Sequence, residues 1–152
     1  MSRSFILARR APLLLRLVLA SMGGVAQGES EKELRQLRQR VHPADYEVFA
    51  EPGRLEAFGQ VMRESLRQGT RGPTWDMRQY VRDFGLGLDE VRMPVTWFHG
   101  GRDMNSPMPL VRRVVAGLPG ARLVTFEDDA HLSTLCRHFD EVAGALGGRI
   151  RS

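Results

Sequence analysis

A chain of 152 residues has room for one domain with a hydrophobic core and is too short for two large ones. Its 42% hydrophobic and 26% charged residues read as an ordinary soluble globular protein. The net charge of +4 does not mark a nucleic-acid surface: of 22 basic side chains only Lys32 is lysine, and the arginines are scattered from Arg3 to Arg151 with no dense block and no interleaved aromatic platform. The single cysteine, Cys136, cannot close an intrachain disulfide. Set among apolar residues, it reads as a small core residue of a reducing, cytoplasmic protein.

Residues 2–22, SRSFILARRAPLLLRLVLASM, have the early positive charge and apolar content of a secretory leader. Arg9, Arg10, Pro12 and Arg16 interrupt the apolar run, which is too short to span a bilayer. The stretch is expected to be a helix of a globular fold, with neither export nor a membrane association. Ser30 with Glu31 and Glu33 opens a charged helix carrying Leu34, Leu37 and Val41 on one stripe. His42-Pro43 ends it, since the residue before proline avoids the helical region. A short helix follows over Ala44–Phe49, and after Pro52-Gly53 another carries Leu55, Phe58, Val61, Met62 and Leu66, closed by Gly69. Trp75–Phe84 is one more short helix, with Trp75 expected in the packing between helices and core or lining a pocket beneath them.

At Met93-Pro94 the character changes. Val95–His99 is β-branched and aromatic and stops at Gly100-Gly101, as a buried strand does. Pro109–Leu118 is helical, Ala121–Glu127 a second strand, and Leu132 to about Leu146 a final helix. This is the strand–helix–strand–helix unit of a parallel sheet. Two strands bury their helices poorly, so the chain reads as the last part of something larger.

Ligands of open parallel sheets bind beyond the carboxyl ends of the strands. There the first strand delivers Gly100-Gly101-Arg102-Asp103 and the second delivers Asp128-Asp129-Ala130-His131. Asp103 and His131 therefore occupy loops on one sheet edge. A carboxylate there can hold one imidazole nitrogen, leaving the other as a base for a nucleophile. Glu127-Asp128-Asp129 reads as a solvated acidic turn. His131 and His138 with Asp128 and Asp129 lack the spacing of a closed metal site, and no phosphate loop or dinucleotide fingerprint occurs, so neither metal nor cofactor is expected.

The block Val91–Leu146 resembles the C-terminal end of an α/β-hydrolase. G-x-x-D stands at Gly100–Asp103 with Pro107 soon after, and Ala130-His131 takes the place of the usual G-H. The upstream part, including QGTRGPTWDMR at residues 68–78, is similar to the helical lid of bacterial members related to small ester hydrolases. The resemblance implies a partial α/β-hydrolase fold, with a helical lid or cap over residues 1–90, the end of an incomplete parallel sheet over 91–148, and a tail at 149–152. It implies Asp103 and His131 as acid and base of a Ser-His-Asp triad acting on a small ester or acyl substrate. The family's G-x-S-x-G elbow is absent. Ser21, followed by Gly23-Gly24, has Leu19 where the elbow needs a small residue, and reads as the end of a lid helix. The expectation is a truncated chain, inactive alone, that would take a small ester or acyl substrate only when completed. The alternative is a non-catalytic interaction protein built on a hydrolase remnant, whose open sheet edge and lid stripe would serve self-association or pairing with a missing N-terminal half.

Overall fold

The computed structural model describes residues 3–23 and 35–147. The expected helix start at Ser30 and the tail at 149–152 lie outside the described residues. In chain order the elements are α1 (Arg3–Arg10), α2 (Pro12–Gly23), α3 (Pro43–Ala50), α4 (Arg54–Ser65), α5 (Arg71–Gln79), a 3-10 turn (Leu88–Glu90), β1 (Thr96–Gly100), α6 (Met108–Ala116), β2 (Arg122–Phe126), α7 (His131–Arg137) and α8 (Phe139–Gly147). They form two compact units, Met1–Glu33 with Gly53–Gly85, and Leu34–Pro52 with Leu86–Ser152. Residues 1–90, grouped together by sequence, are thus shared between both units. The segment around α3 goes with the sheet because its apolar face is buried against α7.

In the first unit α1, α2 and α5 pack on one another. Ala8 and Leu15 are buried there, and Phe5 meets Tyr80 edge to face at 6.0 Å. Pro12 starts α2 because a first-turn residue needs no N–H partner and proline's φ is already helical. The same logic moves α5 forward: it begins at Arg71, four residues before the expected Trp75, because Pro73 fits a first turn. Trp75 does not pack inward. It is 54% exposed, with the guanidinium groups of Arg78 and Arg82 at 5.7 and 5.8 Å from its ring. Leu13, Leu14 and Leu17 of α2 are also exposed.

The second unit is built on a parallel pair, with Thr96 opposite Arg122 and Gly100 opposite Phe126. Thr96–Phe98 of β1 and Leu123–Phe126 of β2 are half-buried, because each strand has only one neighbour in the two-stranded sheet; His99 and Gly100, beneath the loops that follow, are buried. Helix α6 packs on β2, while α7 packs on β1 and on α3. Ala44, Val48 and Phe49 of α3, Val111 of α6 and Ala130 form the buried apolar centre. Phe98, Phe126 and His138 stack in series, the last two at 3.6 Å.

His42 caps α3 through Nδ1, which accepts from the Ala44 N–H at 3.3 Å, with Pro43 in the first turn. The helix stops at Glu51, which is extended because Pro52 follows. The single final helix expected from Leu132 to Leu146 is instead two, broken at His138. There the imidazole is held by Asp129 at 2.7 Å and by the face of Phe126.

Candidate active site

Parallel pairing places the carboxyl ends of β1 and β2 side by side, so the loops after Gly100 and Phe126 are neighbours. Their approach is close. A Cβ on Gly100 would lie 2.5 Å from the carbonyl oxygens of both Asp129 and Ala130, and one on Gly101 would lie 2.8 Å from that of Glu127. Only glycine fits at this distance. Backbone bonds then tie the loops, Gly101 N–H to the Phe126 carbonyl and Arg102 N–H to the Asp129 carbonyl, each 2.8 Å.

Asp103 follows directly. Its Oδ1 accepts from the N–H groups of Asn105 at 2.7 Å and Ser106 at 3.0 Å. Its Oδ2 accepts from His131 Nδ1–H at 2.9 Å. His99, buried at the end of β1, donates from Nε2 to the Ser106 carbonyl at 2.9 Å and pins the far side of the same turn.

The two sequence-predicted residues are therefore in contact, and their environments differ. The Asp103 side chain is 5% exposed and that of His131 47%. Burial pushes the Asp103 carboxyl up, but the hydrogen bonds from His131, Ser106 and Asn105 outweigh it and hold the group below its usual value. With Nδ1 donating to a carboxylate, Nε2 carries the free lone pair. It meets no hydrogen-bond partner among the described residues. The imidazole lines an open cleft of about 400 Å³ together with Trp97, Phe98, His99, Asp103 and Leu135. Ser106 and Thr134 also line it, but neither hydroxyl is bonded to His131.

Because the folded carboxyl is depressed, Asp103 contributes stability that is complete above the unfolded value. That contribution is lost as pH falls through the folded value, below about pH 4. Asp103→Asn is expected to melt lower than the parent at neutral pH. The gap should narrow on acidification from about pH 5 to pH 3, as the parent loses what the variant never had. Thermal melts of both proteins across that range check it; a constant gap contradicts it.

Sequence reasoning missed two supports of this site, His99 and Asp45. Asp45, in the first turn of α3, accepts hydrogen bonds from residues His131 to Ser133. Two other expectations are corrected. Cys136 is exposed, because α7 buries only its first part at Ser133 and Thr134, while Leu135, Cys136 and Arg137 in its last turn all face solvent. Asp129 is not part of a solvated turn. It is buried and holds Arg137 Nη1 at 2.8 Å and His138 Nε2 at 2.7 Å.

Ser21 lies inside α2, not on a strand-to-helix turn. Among the described residues, no group of three or more His, Cys, Asp or Glu could hold a metal ion. No helix among them is long and apolar enough to cross a membrane.

No family model matches the chain, and no curated protein matches it. Two solved structures do. A hydrolase from Pseudomonas aeruginosa PA01 aligns with a TM-score of 0.57 and 19% identity, covering 98% of this chain and 60% of its own. An esterase from Exiguobacterium antarcticum, EaEST, aligns with a TM-score of 0.48 and 15% identity, covering 90% of this chain and 48% of its own. The chain thus spans about half to three-fifths of the length of the structures it matches. With its parallel β1–α6–β2 unit and paired strand-end loops, it has an α/β-hydrolase-like fold over that partial span.

Proposed function

We propose that this chain carries the acid–base part of a serine-type hydrolase of esters or similar small acyl compounds. The observation that carries the reading is the 2.9 Å hydrogen bond from His131 Nδ1 to Asp103, which leaves Nε2 of a cleft-lining imidazole as the available base. In that reading Nε2 takes the proton of a serine hydroxyl as its oxygen attacks the ester carbonyl. The imidazolium then returns the proton to the leaving alcohol, and the cycle repeats with water to release the acid. Asp103 orients the ring and stabilises the imidazolium. The serine and the oxyanion donors belong to a segment outside these residues, since G-x-S-x-G occurs nowhere in the sequence. The chain is accordingly read as truncated and inactive alone, its first unit as the helical cap, and its place as the cytoplasm.

A second reading is favoured by the sheet, which has two strands and hence a free edge among the described residues. Such an edge pairs readily with another chain. A non-catalytic interaction protein on a hydrolase remnant would use it for self-association or for a separately encoded N-terminal half.

The test is to read roughly 400 nucleotides of coding DNA upstream of Met1, about one domain's worth of chain, and to assay the in-frame product on an activated ester. A histidine–glycine loop, a G-x-S-x-G and turnover that His131→Ala removes are the expected results. Stops or an unrelated gene, together with concentration-dependent association of the 152-residue chain, would favour the second reading. An extended product that bears the elbow yet ignores His131→Ala overturns the first.

A further inference from the structure

The backbone that carries His131 is held from far along the chain. Helix α7 has seven residues, and its N-cap, Ala130, has no side-chain oxygen to accept from the first turn. A helix this short gains little from its own hydrogen bonds, and its first N–H groups need acceptors from elsewhere.

Asp45 supplies them. Its Oδ2 accepts from the His131 N–H at 3.2 Å. Its Oδ1 accepts from the Leu132 N–H at 2.9 Å, the Ser133 N–H at 2.9 Å and the Ser133 hydroxyl at 3.0 Å. The Ser133 oxygen in turn accepts from the Ala130 N–H at 2.7 Å. All four backbone donors from Ala130 to Ser133 thus end on Asp45 directly or through Ser133. Asp45 is 6% exposed and Ser133 fully buried, so water cannot readily take over. A second link, from Arg137 to Glu47, joins the same two helices one turn further on.

Any slide or rotation of α7 breaks several of these bonds together, and His131 hangs from the first of them. Asp103 fixes the ring, but by one bond to a side chain that is half exposed. The ring reaches Asp103 only if the Cα of His131 is already in place.

We propose that Asp45 is a positioning residue: it sets the backbone of His131 so that Nδ1 reaches Asp103 and Nε2 faces the cleft. The proposal rests on reading Asp103 and His131 as an acid–base pair, but its test does not need turnover.

The experiment is nitrogen-15 and proton NMR of histidine-labelled full chain, with the His131 signals assigned by their loss in His131→Gln. In the parent, His131 should show one tautomer, a protonated Nδ1 with a low-field proton and an unprotonated Nε2. Asp45→Ala should average the tautomers and speed solvent exchange of that proton about tenfold or more, the equivalent of one lost hydrogen bond. Val48→Ala, in the same helix, removes buried apolar volume without touching the cap; it should lower the melting temperature yet keep the parent signature.

Should Asp45→Ala not fold, Asp45→Asn serves. It preserves size and one acceptor but turns an amide donor toward an N–H, and should shift the low-field proton. The proposal fails if the Asp45 variants keep the parent signature, or if Val48→Ala loses it equally. If the signature follows Asp45 as expected while the extended enzyme ignores His131→Ala, the functional reading fails and the positioning role stands.

Discussion

The 152-residue chain by itself is expected to leave p-nitrophenyl acetate unhydrolysed above the rate of its buffer. In the proposed reading His131 is the base, but no hydroxyl is bonded to it among the described residues. Loss of the serine from such a triad costs about a millionfold in turnover. Ser21→Ala is expected to change nothing, since Ser21 lies within α2 rather than on an elbow. Turnover by the purified chain that this substitution abolishes would overturn both the site and the proposed truncation. When an elbow is supplied by in-frame extension, His131→Ala should lower kcat about as far as loss of the serine does. Asp103→Asn should lower it about 10⁴-fold, because the imidazole then settles in the wrong tautomer. Single-turnover and steady-state kinetics on the same ester measure each.

Gly100→Ala is expected to be the most damaging small substitution in the second unit. The added methyl would sit 2.5 Å from two backbone carbonyl oxygens, and neither belongs to a flexible side chain. Relief requires the loops after β1 and β2 to move apart, which breaks the Arg102–Asp129 backbone bond and draws Asp103 away from His131. A cost of about 3 kcal/mol, the upper end for overpacking, is expected. It corresponds to a fall of about 6–12 °C in melting temperature for a chain of 152 residues melting as one. Gly120→Ala is the comparison. Its site is open, with nothing within 4 Å, and only its φ of +67° resists a side chain. That strain costs about 1–2 kcal/mol and leaves the cleft untouched. Equal losses at the two positions would mean that the close approach of the loops does not matter.

What the sequence made legible was local. A β-branched and aromatic run stopping at two glycines marks β1, and a carboxylate and an imidazole just past successive strands mark a pair that the fold brings into contact. Neither needs knowledge of the rest of the chain. What escaped was tertiary. The periodic pattern runs straight through His138, and only its hold on Asp129 and Phe126 divides α7 from α8. Asp129 looks like one of three acids in a solvated turn until Arg137 and His138 fold back on it. Asp45 gives no sign of its role in its own surroundings, where it is simply an acid in the first turn of a short helix. The only sequence hint lies far away, in an alanine occupying the N-cap of the helix it serves.

The long reach of Asp45 also bears on the order in which the molecule assembles. The contact between Asp103 and His131 closes a loop of 28 residues, and that between Asp45 and His131 one of 86. By the logarithmic law of chain closure the longer loop costs about 1 kcal/mol more in entropy. Its reward arrives only when α7 is already formed against β1. Rising contact order slows folding, so the strand–helix–strand unit should gather first and α3 should dock late. The His131 imidazole is then the last part of the cleft to be set, so in a newly made chain the loops after the two strands meet before the imidazole is seated on Asp103.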